Sequence, residues 1–175
     1  MRWRLGALIA LMLGTVLTAC GPTSGSTEPT TPSTSTTIPT VAEGSVGAWV
    51  ELTSTTIDAG SKLTATVVVV NHSGSPITVA SCGAIYGAGF ESDTIRLGPS
   101  FSTCLGPPQQ ILLGESRWPV TASATYPWCG GSGVSETPAC VDGRPPALPG
   151  GEYRLVAGST DSRAPKPAPV IVNIR

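Results

Sequence analysis

Cysteines are the residues of this 175-residue sequence whose type and spacing could do chemistry. The four that follow the N-terminal segment are Cys82, Cys104, Cys129 and Cys140. They lack the Cys-x-x-Cys spacing typical of zinc sites, so we expect disulfides and no metal. Four cysteines permit three pairings. We predict Cys82–Cys104 and Cys129–Cys140, because each pair brackets one loop.

The other polar residues give little support for catalysis. His72 is the sole histidine and stands in a turn sequence. A catalytic triad needs a base, an orienting acid and a nucleophile within reach, and neither Gly-x-Ser-x-Gly nor Ser-x-x-Lys occurs. Glu91 and Asp93 could meet Ca²⁺, but no EF-hand loop surrounds them. The sequence therefore predicts a protein that is not an enzyme and has no cofactor.

Cys20 differs from the other cysteines because it ends a secretory-type signal. Arg2 and Arg4 precede the apolar segment Leu5 to Leu17, which is shorter than the roughly 20 apolar residues of a membrane span. The following residues, Leu17-Thr18-Ala19-Cys20, resemble the lipobox of bacterial lipoproteins. The resemblance implies that the signal is cut before Cys20 and that this cysteine is acylated. An ordinary secretory signal is the alternative.

The lipobox resemblance divides the chain into three parts. Residues 1–19 are the expected signal peptide, residues 20–44 the acylated cysteine with a linker, and residues 45–175 the folded domain. Residues 21–40 are rich in Ser, Thr and Pro and carry too little apolar surface to offset their ordering entropy. We expect a disordered tether, either bare or O-glycosylated. The domain is then expected on the extracytoplasmic face of the cell membrane, where disulfides persist.

The charge pattern narrows the choice of partner. The chain has 10 basic and 11 acidic residues, and removal of the signal takes away Arg2 and Arg4. The remaining charges are scattered singly, without a basic stripe, which argues against nucleic acid and against electrostatic capture by anionic lipid. The expected partners are the membrane, through the lipid on Cys20, and an unidentified envelope or extracellular protein.

Alternating apolar residues predict strands through the domain. Val67–Val70 is apolar on both sides, which is typical of a central strand. Turn residues follow at 71–76, and Ile77 and Val79 resume the alternation, which predicts a hairpin with the preceding strand. Residues 117–126 alternate most clearly. They place Trp118 in the core and Pro119 on the outward side of an edge strand or at a strand start.

The C-terminal segments suggest a fold. The runs Pro-Gly-Gly-Glu-Tyr-Arg-Leu, from 149, and Pro-Val-Ile-Val-Asn-Ile, from 169, resemble the last two strands of bacterial immunoglobulin-like domains. With the alternation, this resemblance implies an all-β fold: a single antiparallel immunoglobulin-like β-sandwich of about seven strands with Greek-key connections. The Cys…Trp…Cys spacing of antibody domains is absent.

The loop Pro127–Pro149 is the predicted binding surface. Connections in compact domains mostly have about 2–6 residues, and unusually long loops are often functional. Trp128 is of a type enriched at interface hot spots, and Asp142 and Arg144 supply polar groups. The Cys129–Cys140 bridge would lower the ordering cost of binding. Alternatively, the bridge only staples the loop and Trp128 covers the end of the domain.

Three functions remain open. We expect a lipid-anchored, non-catalytic binding or structural module. The second possibility is an extracellular proteinase inhibitor whose Cys129–Cys140 loop enters a protease cleft, since an inhibitor family is found among small bacterial sandwiches with similar endings. The third, an envelope hydrolase, has no catalytic residues to support it.

Overall fold

β-Strands form all the regular structure in the described part of the chain. The structure, a computed structural model, describes residues 39–81, 83–101, 106–130 and 138–175, which belong to one compact unit. Nine strands lie in these ranges, two more than expected: β1 (Val46–Leu52), β2 (Thr56–Ile57), β3 (Lys62–Asn71), β4 (Ile77–Val79), β5 (Gly87–Glu91), β6 (Gln109–Ile111), β7 (Gly114–Ser123), β8 (Gly151–Gly158) and β9 (Val170–Ile174). The all-β prediction is confirmed for these residues.

The first sheet contains β1, β3 and β7 in that order, with both pairs antiparallel. β3 is the central strand, as the apolar run Val67–Val70 predicts, and its residues Val67, Val68 and Val69 are fully buried. β7 is an edge strand of this sheet. An edge strand accepts Pro119 because the missing N–H can face away from the hydrogen-bonded ladder.

The second sheet has the order β2-β9-β8-β5. β2 runs parallel to β9, and the other two pairs are antiparallel. The prediction of a purely antiparallel sandwich is therefore wrong for this one pair. The predicted alternation in the C-terminal strands is confirmed, since Tyr153, Leu155 and Ala157 of β8 and Val172 and Ile174 of β9 are buried.

One hydrophobic cluster receives side chains from both sheets. Val67, Val69 and Val120 contribute from the first sheet, and Phe90 and Leu155 from the second. Burial of each large apolar side chain contributes about 1.5–3 kcal/mol, so this cluster is the main source of stability. The partly buried Trp118 packs against it, on the inward face where the alternation of β7 places it.

β4 and β6 form a separate two-stranded antiparallel ribbon, with Ile77 opposite Ile111. The predicted hairpin between β4 and β3 is therefore wrong. Both edges of β3 are already occupied, by β1 and β7, so β4 has no edge to join. Asn71, the last residue of β3, connects β3 to this ribbon. Its side-chain amide donates hydrogen bonds to the carbonyls of Ser75 and Ile111.

The incoming chain joins the domain at one end of the first sheet. Here Val46 pairs with Asn71, and Asn71 pairs with Gly114. The N–H of Gly44 donates to the carbonyl of His72 at 3.0 Å, which fixes the segment before β1. We call this end the N-terminal pole, defined by residues 42–45, 72–76 and 111–114.

The C-terminus lies at the opposite end of the sheet. Lys62 pairs there with Ser123, and the N–H of Gly60 donates to the carbonyl of Ala124 at 2.9 Å. The neighbouring N–H of Ala59 donates to the carbonyl of Arg175 at 2.7 Å. We call this end the loop pole, defined by residues 58–62, 124–128 and 148–151. The ten-residue strand β3 separates the two poles by about 30 Å.

Candidate functional site

The long loop leaves and rejoins the domain at the loop pole. The N–H of Tyr126 donates to the carbonyl of Pro146 at 3.0 Å, and the N–H of Leu148 donates to the carbonyl of Ala124 at 2.8 Å. Leu148 is buried in the core. The two ends of the loop therefore form a short paired stem rooted in the domain, so that the residues just beyond it have a fixed position.

A disulfide closes the loop a few residues beyond this stem. Cys129 and Cys140 are bonded, with their Cα atoms 5.0 Å apart, which confirms this predicted pair. The N–H of Gly130 donates to the carbonyl of Pro138 at 2.9 Å and supports the same closure. The other predicted pair, Cys82–Cys104, lies outside the described residues, as does Cys20.

Trp128 stands exposed between the stem and the disulfide. Its side chain is 65% exposed. Trp128 therefore does not cover the end of the domain, which was the alternative to a binding role. It lines an open groove of about 770 Å³. Apolar residues make up most of the lining: Ile95, Leu97, Tyr126, Pro127, Trp128, Pro138 and Pro149. An exposed tryptophan over an aromatic- and proline-lined groove is suited to stacking against a ligand.

The segment Asp93–Leu97 forms the opposite wall of the groove. Its turn is held by Ser92, whose hydroxyl accepts a hydrogen bond from the N–H of Ile95 at 3.1 Å. The N–H of Leu97 donates to the carbonyl of Phe90 at 2.9 Å, so the segment runs along the free edge of β5. The sequence analysis did not predict this wall. An isolated bridge between Glu91 and Arg96 is all the strand pairing it makes.

Two glycines of β5 allow this close approach. A Cβ atom at Gly89 would collide with the carbonyl oxygens of Leu97 and Gly98, and one at Gly87 would collide with the carbonyl of Ser100. The spacing Gly87-x-Gly89 inside a strand was the available sequence signal, because glycine in a strand often marks close approach of another backbone.

Asp142 and Arg144, the predicted polar binding residues, are not among the residues that line the groove. They belong to a tight hairpin in which the backbone N–H and carbonyl groups of Val141 and Arg144 bond reciprocally at 2.9 Å. Asp142 and Gly143 have φ values of 49° and 71°, as the central residues of a type I′ turn require. Both Asp142 and Arg144 are exposed. The Asp-Gly pair therefore serves the turn, and the structure does not bring these two residues together with Trp128.

A smaller, more polar hollow adjoins the groove. It measures about 350 Å³ and shares Asp93 and Thr94 with the groove wall. The carboxylates of Glu91 and Glu152 and the guanidinium of Arg154 also line it. Groove and hollow together combine aromatic and proline side chains with polar groups of both charge signs.

Tyr153 fixes the end of the loop beside the groove. Its hydroxyl donates to the carbonyl of Pro149 at 3.0 Å. Burial raises the pKa of Tyr153, and the neighbouring Tyr126 adds to that rise. The hydroxyl therefore remains protonated and available as a donor at neutral pH.

Among the described residues, the groove lining contains neither a histidine nor a cysteine. His72 lies at the N-terminal pole, about 30 Å from the groove along β3. Within the described ranges, no cluster of three or more His, Cys, Asp or Glu side chains could hold a metal ion. The arrangement is suited to binding through stacking, apolar contact and peripheral hydrogen bonds.

No protein-family model matches this chain, and no curated protein sequence shows significant similarity to it. A search of the described residues for a helix with the length and hydropathy of a membrane span found none.

Proposed function

We propose that this chain is a lipid-anchored protein of the bacterial cell envelope that displays a non-catalytic, immunoglobulin-like binding domain. In this proposal the signal peptide is removed, Cys20 is acylated, and residues 20–44 tether the domain to the extracytoplasmic face of the membrane. The Leu17-Thr18-Ala19-Cys20 motif supports the anchor. Two or more acyl chains on one cysteine suffice for stable attachment, whereas a single chain binds reversibly.

The strand order supports the immunoglobulin-like part of the proposal. A three-stranded sheet, β1-β3-β7, and a four-stranded sheet, β2-β9-β8-β5, share one hydrophobic cluster. The chain passes from one sheet to the other between β1 and β2, β2 and β3, and β7 and β8. Such crossings between two packed sheets are typical of Greek-key sandwiches, although the β2–β9 pair of the second sheet is parallel.

The position of Trp128 carries the binding function. It is the exposed aromatic residue of a groove whose base is held by a paired stem and a disulfide. The groove lies at the loop pole, and the chain that leads back to Cys20 joins at the other pole. An anchored domain of this shape can present the groove away from the membrane, where an extracellular protein can reach it.

Site-specific photo-crosslinking in intact cells tests this proposal. A photoreactive residue at Thr94, on the exposed groove wall, leaves Trp128 in place and should capture a partner. Trp128→Ala in the same background should reduce capture about tenfold or more, as expected for loss of a hot-spot tryptophan. A photoreactive residue at the exposed Thr121 of β7 is the matched control. Equal capture from Thr121, or capture unaffected by Trp128→Ala, would place the binding surface elsewhere.

The alternative function, a proteinase inhibitor, is supported by the same disulfide-closed loop. The bond between Cys129 and Cys140 and the hydrogen bond between Gly130 and Pro138 give the loop the rigidity that inhibitors use to limit the ordering cost of binding. Titration of a panel of extracellular proteases with the mature protein separates the two functions. Stoichiometric inhibition that reduction of the disulfide abolishes would favour the inhibitor.

A further inference from the structure

The N-terminal pole is poor in charge. The segments 72–86 and 98–114 contain no Asp, Glu, Lys or Arg. Their described parts contact each other, since the hydroxyl of Ser81 donates to the carbonyl of Pro107 at 3.0 Å. Glu43 lies within this pole and is exposed. Glu115 follows the pole directly and is paired with Arg117 at 2.9 Å. Asp161, paired with Arg163, accepts a hydrogen bond from the N–H of Ala80 in the first of these segments. By contrast, charged residues surround the loop pole and its hairpin: Asp58, Lys62, Arg96, Asp142, Arg144 and Arg175.

Two adjacent leucines project from this pole. Leu112 and Leu113, in the turn between β6 and β7, are 56% and 51% exposed. Ile111 on one side of them is fully buried, and Gly114 on the other pairs with Asn71. The turn is therefore fixed at both ends, and the leucine side chains cannot fold back into the core without displacing Ile111.

The tether determines which surface this turn can meet. The chain joins the domain at this pole, and the stretch from Cys20 to Pro39 spans at most about 65 Å when fully extended. Any anchor at Cys20 therefore holds the N-terminal pole at high local concentration near the bilayer, so that even weak contacts become populated. Tethering brings the loop pole near the bilayer less than it brings the N-terminal pole, because the loop pole lies at the far end of β3 from the point where the tether joins.

We propose that the Leu112–Leu113 turn inserts into the headgroup–acyl boundary of the extracytoplasmic leaflet. This inference rests on the proposed lipid anchor at Cys20. Apolar side chains that enter this boundary by about 5–10 Å gain from leaving water. Residues 98–114, which include the turn, carry no charged side chain, so a shallow insertion limited to the two leucines desolvates no charge and leaves Glu43 and Glu115 in the hydrated headgroup region. The insertion sets the orientation of the domain, and the Trp128 groove then points away from the membrane.

The test uses the mature, acylated full-length protein in vesicles of phosphatidylcholine and phosphatidylglycerol. A small fraction of the phosphatidylcholine carries a photoactivatable diazirine in its acyl chain. After irradiation, mass spectrometry locates lipid adducts by peptide. We expect adducts on the peptide that contains Leu112 and Leu113, reduced about tenfold in Leu112→Ser/Leu113→Ser because two leucines have left the lipid phase. Val141→Ser is the matched control, since Val141 is 59% exposed in the hairpin near the loop pole.

The outcomes separate this inference from the anchor on which it rests. Absence of the protein from the vesicle fraction would overturn both. Protein retained on vesicles with adducts confined to the peptide of Cys20 would overturn the insertion and leave the anchor intact. If the unmodified protein forms dimers without lipid adducts at the turn, and Leu112→Ser/Leu113→Ser abolishes those dimers, membrane insertion is overturned. The two leucines would then contact a second copy of the protein. The adduct map of the unmodified protein decides the question even if the double variant folds poorly.

Discussion

The side-chain amide of Asn71 donates a hydrogen bond of 3.3 Å to the carbonyl of Ile111, a residue 40 positions later in the chain. The same amide donates to the carbonyl of Ser75, and its oxygen accepts from the N–H and the hydroxyl of Ser73. One buried side chain thus joins the end of β3, the following turn and the end of β6.

We expect Asn71→Ala to lower the free energy of unfolding by about 2–3 kcal/mol, because the buried carbonyl of Ile111 loses this donor and the turn loses its bonds to the Asn71 side chain. Urea denaturation measures this loss. Ser73→Ala is the control: it removes the hydroxyl alone and should cost less than about 1 kcal/mol. Similar losses of unfolding free energy in the two variants would show that the hydrogen bonds donated by the Asn71 amide do not contribute to stability.

Gly89 should be the residue of β5 least tolerant of a side chain. Gly89→Ala places a methyl group against the carbonyl oxygens of Leu97 and Gly98, and such overpacking costs about 1–3 kcal/mol. Gly98→Ala, where a Cβ atom meets nothing within 4 Å, should change stability by less than about 0.5 kcal/mol. Chemical denaturation compares them. Equal losses of stability in Gly89→Ala and Gly98→Ala would mean that the groove wall does not pack closely against β5.

The two tryptophans of the second half of the domain should differ in their effect on stability. Trp118→Ala should cost about 3–5 kcal/mol because the indole packs on the core, whereas the exposed Trp128→Ala should cost less than about 0.5 kcal/mol. The indole N–H of Trp118 is buried without a hydrogen-bond partner among the described residues. Trp118→Phe removes that donor and should therefore recover most of the loss. Thermal and urea unfolding test the series, and a large loss in Trp128→Ala would contradict its exposed position.

Asp161 should make stability depend on pH. Its carboxylate accepts hydrogen bonds from the guanidinium of Arg163 and from the N–H of Ala80, which hold its pKa well below the usual range. Because the folded-state pKa lies below the unfolded value of about 3.9, this stabilisation is complete above that value and declines as pH falls toward the folded-state pKa.

We therefore expect Asp161→Asn to lower Tm at pH 7 and the difference from the unmodified protein to shrink as the pH falls below about 4. Thermal unfolding at a series of pH values measures this difference. A difference that stayed constant from neutral to acidic pH would show that the ionised carboxylate of Asp161 contributes nothing.

Local alternation was sufficient to predict the inward faces of the strands. Val67 and Val69 in β3, and Tyr153 and Leu155 in β8, are buried as their spacing predicts. The pairing of β4 with β6 could not be predicted in this way, because it depends on which edges remain free after β1 and β7 have joined β3. Alternation identifies which face of a strand points into the core. It does not identify the strand that pairs with it.

The candidate site was predictable on one side only. Trp128 and the Cys129–Cys140 bridge follow from residue types and from the length of the loop. The wall Asp93–Leu97 does not, since its place depends on backbone contact with Gly89, which no periodicity encodes. Asp142 was interpreted as a binding residue, although its pairing with Gly143 is the signature of a tight turn.

The opposite positions of the tether and the groove have a mechanical consequence. A partner that pulls on the loop pole while the anchor holds the N-terminus applies tension along the strands. The seven register pairs between β1 and β3 are then loaded together in shear, whereas a peeling force would open them one after another. A domain loaded in this direction resists extension through its whole β1–β3 ladder at once.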